Sequence, residues 1–210
     1  MFTNRKRVWL LLLASALVLS ICACGSNQTG STENNTETET EVIVEIADAN
    51  DILTKIWDCY EEADTDGNMF NDRFDVMGGH FESAVMNMPA KYDLTKTSDL
   101  ELMYCVPQSA AAMIDDAATI VHLMKASTFT TGAYHVADVA NMQTVTEGME
   151  NQILSNQWLG GFPDKMLVIQ LDEQYVIAGF GTAEVMDSFK KIVFDIYGNQ
   201  ANILAEKSIR

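Results

Sequence analysis

The residues whose types and spacing carry chemistry most plainly are Ile21-Cys22-Ala23-Cys24, followed by Gly25-Ser26. An aliphatic residue at −3, a small one at −1 and a cysteine at +1 form the pattern in which a thiol is acylated and the bond before it is cut. The thiol in question is that of Cys24. Cys22 is the competing candidate, but it would place bulky Ile21 at the cleavage position, where a peptidase needs a small side chain. Upstream, Arg5-Lys6-Arg7 precede an unbroken apolar run from Val8 to Ile21, which is the arrangement of an export signal. An uncleaved spanning helix asks for about 20 apolar residues, and this run is shorter. Cys24 is therefore expected to be the lipid attachment point, with residues 1–23 removed. A diacylglyceryl group brings two acyl chains, enough for stable membrane anchoring without a second signal.

Other reactive groups are sparser. Cys59 and Cys105 are the only cysteines beyond the lipidation motif. Pairing would stabilise an exported chain by about 3 to 5 kcal/mol on the chain-entropy model. Two buried free thiols is the other reading, because Cys59 lies in a helix-patterned stretch and Cys105 is flanked by Tyr104 and Val106. Cys105 with His122 or His135 would make a thiolate nucleophile with a neighbouring base, although apolar neighbours oppose ionisation. His80, His122 and His135 are isolated and lack the one-turn spacing, with a glutamate between, of a helical zinc hydrolase. Residues 64–75 invite a calcium reading. With Asp64 first, Met69 falls where the loop needs glycine; with Glu62 first, Arg73 takes the bidentate position. Both frames fail, leaving a solvated turn, with a divalent-cation module as the weaker alternative. Met86 and Met88 near His80 offer soft ligands for cuprous copper, but most methionines here sit at core-like positions. Asp115-Asp116 reads as a helix-terminal or solvated pair rather than an acid/base dyad. Gly179-Phe180-Gly181 is an incomplete phosphate cradle. No catalytic residue, metal-ligand set or cofactor is expected.

Composition bounds the partners. The formal charge of −17 becomes −20 once the three basic residues of the signal are removed. Such a surface repels nucleic-acid phosphates and anionic headgroups, so nucleic acid is excluded and membrane attachment falls to the lipid alone. The expected address is the outer face of the cytoplasmic membrane. The stretch GSNQTGSTENNTETETE has too little apolar surface to offset its ordering entropy, so residues 24–45 form a lipidated N-terminus and flexible acidic tether.

The elements that must position any site follow from periodicity. Ile52, Ile56, Trp57 and Tyr60 predict a helix over 51–60, capped by Asn50 or Asp51. Phe81, Ala84, Val85 and Met88 suggest a short helix ended before Pro89. Leu100 to Tyr104 is a short apolar piece, and Ala117 to Lys125 reads as a buried strand. Val136, Val139, Met142, Val145, Met149, Ile153 and Leu154 predict one long amphipathic helix with Asp138 in its opening turn. Met166 to Leu171 and Tyr175 to Phe180 flank a polar turn and predict a hairpin. A final helix starts at Thr182 and exits at Gly198. The order predicts an α+β fold with a small antiparallel or mixed sheet and helices on one face, over 99–210, preceded by a helical extension over 46–98.

Leu102-Met103-Tyr104, the strand that follows, the helical stretch from Asp138 to Trp158 running into Phe162-Pro163-Asp164, and Tyr175-Val176 leading to Ser188-Phe189-Lys190-Lys191 resemble a family of small Gram-positive lipoprotein domains. This is domain-of-unknown-function family 4358, and the likeness covers roughly half of the chain. Members carry a lipoprotein signal and a polar tether. One departure stands out, Cys105, where the family usually has glycine; Phe162 stands where the family tends to have an aromatic or leucine. The resemblance implies an extracytoplasmic lipoprotein and no particular activity. The leading expectation is a non-enzymatic module that binds an envelope protein, peptide or other component through its sheet or its acidic extension. A cell-envelope enzyme using Cys105 and a histidine is the alternative.

Overall fold

The computed structural model describes residues 43–63, 75–123, 125–159 and 161–209. The signal segment, Cys24, the tether up to residue 42 and the acidic loop over 64–74 lie outside the described residues.

The described residues open with a docked stretch of backbone. The Val44 N–H donates to Gln200 Oε1 at 2.6 Å, and the Gln200 amide returns a bond to Val44 O at 3.0 Å. Helix α1 (Ala49–Ala63) follows. Its cap is Asp48 rather than Asn50 or Asp51, because Asp48 Oδ1 accepts from Asp51 N at 2.8 Å. Ile52, Leu53, Ile56 and Trp57 form its buried stripe.

Three short strands come next: β1 (Val76–Gly78), β2 (Val85–Met86) and β3 (Ala90–Lys91). The helix expected around Phe81 to Met88 is a single 3-10 turn at Phe81–Ser83 followed by extended chain. Residues 46–98 thus supply one helix and three strands to the main sheet, not a helical extension. Helices α2 (Thr97–Tyr104) and α3 (Gln108–Ala111) lead into β4 (Ile114–His122), and β5 (Phe129–Val136) returns beside it. The long helix is shorter than its periodicity predicts. Val136 belongs to β5, Asp138 caps a 3-10 turn, and α4 runs Met142–Ser155. The predicted hairpin is present as β6 (Lys165–Leu171) and β7 (Tyr175–Gly181), then come α5 (Ala183–Tyr197) and β8 (Ala201–Ser208).

Among the described residues the α+β expectation holds. Eight strands form one antiparallel sheet in the order β2-β1-β4-β5-β7-β6-β8, with β3 beside β4, and the ends do not meet. The helices do not gather on one face. One core packs α2, α3 and α4 against Met166, Val168, Val176 and Tyr134; the other packs α1 and α5 against Leu167, Ile169, Ile177 and Ala133. The cause is in the strands: β6 and β7 are apolar at successive positions, so both faces must be covered.

Candidate functional site

The reactive residues singled out in the sequence do not converge. Cys59 and Cys105 are not joined in a disulfide, and Cys105 is buried. Cys105 lies in the core on the α4 side, while His122 and His135 continue the Ala118–Ile120 and Ala133 faces on the α1 side. The sheet therefore separates the thiol from both imidazoles. Burial pushes the Cys105 thiol up to about 12. Its neighbour is the Asn156 amide, 3.5 Å from Sγ. Cys105 also closes α2 at φ 56°, with Cys105 N donating to Glu101 O and Val106 N to Leu100 O. That left-handed cap favours glycine, which is what the resemblance places there.

The histidines have structural occupations. His80 is buried, its Nε2 is 2.9 Å from Asp99 Oδ2, and its Nδ1 accepts from Glu82 N. Both ring nitrogens are thus engaged away from Met86 and Met88. His122 Nδ1 accepts from Lys125 N at 2.9 Å, and His135 Nδ1 meets Asp115. Asp115 and Asp116 lie on β4 at a register shift, not on a helix. Asp116 Oδ2 accepts from Ala49 N at 2.8 Å, which ties α1 to the sheet. Among the described residues no three His, Cys, Asp or Glu side chains group as metal ligands.

The feature that stands apart is a cleft of about 520 Å3 at one end of the α4 face. Three segments distant in sequence build it: Leu102 and Met103 of α2, Lys125 to Ser127 after β4, and Asn156 to Leu159 with Gly161 after α4, over a floor of Val121 and Phe180. Each is placed by an ordinary rule. The strand predicted through Lys125 stops at His122, because Leu123 N turns to Asp75 O and Thr128 N to Lys125 O. Asn156 ends α4 in extended geometry. Gly161 adopts φ 152°, and a Cβ there would stand 3.0 Å from Lys125 Cε and from Ser127 Oγ. Glycine at this point leaves the lysine its room.

Three properties mark the cleft. Its lip is apolar and wet: Leu102 is 78% and Leu159 94% exposed. Its wall includes Trp158, packed edge-on to Phe180 at 4.7 Å, whose indole nitrogen is buried with no hydrogen-bond partner among the described residues. Such an orphaned donor costs about 1–3 kcal/mol. Finally, it carries a cation that stands alone among the described residues. Of eight described lysines, seven sit against a carboxylate, whereas Lys125 has none in reach among the described residues. Among the described residues no carboxylate lines this cleft, although Glu147 and Glu150 line the groove between α4 and β8, and Asp172 lines the one beside Ile43. Sequence reasoning missed Lys125 and Trp158 because each was absorbed into a predicted element. The signal that could have found them is Trp158-Leu159 set beside Gly160-Gly161, large apolar residues at a point where the chain must turn.

No family model, curated protein or solved structure matches the chain, so the likeness to family 4358 rests on the sequence features alone.

Proposed function

We propose that this chain is a lipid-anchored extracytoplasmic binding module, held to the outer face of the cytoplasmic membrane through Cys24, and that it engages its ligand at the cleft bordered by Leu102 and Leu159. The export signal, the cysteine with a small residue before it and the acidic tether support the address. The observation that carries the binding role is the pairing of an exposed apolar lip with Lys125, which no carboxylate neutralises among the described residues, on a surface otherwise rich in carboxylates. A binding role through a sheet face loses ground, since helices occupy both faces. The acidic extension reduces to α1 and strands that belong to the sheet.

Two measurements test this reading. Mass spectrometry of the N-terminal peptide from native membranes should find a diacylglyceryl mass on Cys24, and Cys24→Ser should release the protein from the membrane fraction. A photo-crosslinking amino acid at position 159 should capture a discrete adduct in intact cells, and one at position 81, also exposed but on the β1–β2 side, should not. An unmodified Cys24 overturns the address, and equal labelling from both positions overturns the site.

A further inference from the structure

We infer that the cleft takes a small amphiphilic carboxylate, its acid group on Lys125 and its hydrocarbon along the wall of Phe180, Met103 and Trp158. This rests on the binding-module reading above and names the chemical class of its ligand. The polar groups facing the cleft decide the head group. Lys125 Nζ can only donate, the other polar residues lining the cleft, Ser127, Asn156 and Gln157, are neutral, and among the described residues no aspartate or glutamate lines it to compete for the lysine. A group that only accepts, and that carries one negative charge, satisfies what this lysine lacks.

Charge reinforces the assignment. The protein carries 30 acidic residues, and each of the other seven described lysines is already held by one. An incoming anion is repelled over most of this surface, and Lys125 offers a cation not already neutralised among the described residues. The missing side chain at Gly161 keeps the lysine stem in an open slot, since any Cβ would press on its Cε. Shape supplies the other half of the ligand. The floor is apolar, from Val121 and Phe180, and Leu159 projects at the rim, so an unbranched or aromatic body can be covered on two sides.

Isothermal titration calorimetry on the chain from residue 25 onward, with octanoate, 1-octanol and octylammonium as probes, tests this. Octanoate should bind at least about tenfold more tightly than octanol, the worth of one charge-assisted hydrogen bond, and octylammonium should bind weakest. Lys125→Gln should reduce octanoate affinity by that same factor and leave octanol unchanged, and Lys125→Arg should retain it. Lys125 is exposed, so these variants keep the fold. Octanol matching octanoate, or Lys125→Gln leaving octanoate affinity intact, overturns the assignment of a carboxylate. No heat from octanoate overturns it too. In that case a discrete adduct from position 159 would show that the cleft binds something else, and its absence would show that the binding reading has failed with it.

Discussion

Replacing Tyr134 with phenylalanine should make this protein more stable, against the usual cost of deleting a polar group from a core. Tyr134 is 0% exposed, and its hydroxyl has no hydrogen-bond partner among the described residues. The ring folds back along β5 over Gly132, so that a Cβ at 132 would stand 2.1 Å from the hydroxyl oxygen and 2.4 Å from Cζ. A buried hydroxyl without a partner costs about 1–3 kcal/mol. The void left by one oxygen, roughly 10 Å3, returns only about 0.2 kcal/mol at ~24 cal/mol per Å3. The net expectation is a gain of about 1–2.5 kcal/mol, or about 2–4 °C in Tm for each kcal/mol at this chain length. Urea unfolding of the chain from residue 25 onward, followed by far-UV circular dichroism, reads this directly as a rise in midpoint at unchanged slope. Gly132→Ala must go the other way, by about 3 kcal/mol or more, because the new methyl group collides with a ring that has nowhere to move. Tyr134→Phe should not rescue it, since the clash with Cζ remains. A Tyr134→Phe variant less stable than the parent by more than about 0.5 kcal/mol would show that the hydroxyl is satisfied, and the account of this core would be wrong.

Three further outcomes follow from the same geometry. Since burial pushes the Cys105 thiol up to about 12, iodoacetamide at pH 8 should label it only as denaturant opens the fold; peptide mass spectrometry showing rapid native labelling refutes this. At position 105 glycine should be tolerated as well as or better than alanine, reversing their usual order, because the left-handed φ of 56° costs any side chain about 1 kcal/mol; chemical denaturation of the two variants decides it. Lys165 and Lys190 hold the Glu206 carboxyl below its ordinary 4.5. A depressed folded value gives stability that is present above pH 4.5 and lost as pH falls through that lower value. Glu206→Gln should therefore cost about 1 kcal/mol or less at neutral pH, with the gap to the parent closing on acidification; a gap that widens in acid contradicts the pairing.

The elements legible in the sequence are those with one dominant signal. The α1 and α5 stripes and the β6–β7 hairpin were readable because apolar spacing and turn residues agree. β5 was not, since Phe129-Thr130-Thr131-Gly132-Ala133-Tyr134 shows no alternation. It is a central strand buried on both sides, where threonine serves as filler: the Thr131 hydroxyl reaches Ala178 O. β8 was hidden for the opposite reason, because five of the eight residues of Ala201–Ser208 are exposed at an edge and its pattern does not alternate. The double covering of the sheet was present in the unbroken run Met166-Leu167-Val168-Ile169, which one buried face would not require. The cleft was the least legible feature, since its walls come from segments more than 20 residues apart and acquire meaning only when the chain closes.

Strand β8 is also the guard of the hairpin. β8 pairs with β6 along its whole length, from Lys165–Ser208 to Leu171–Ala201. Proteolytic clipping at Gln200 would therefore bare the flank of a strand whose side chains are apolar in both directions, a template that a neighbouring copy could extend. An intact β8 thus guards against polymerisation, and a clipped population should self-associate before it unfolds.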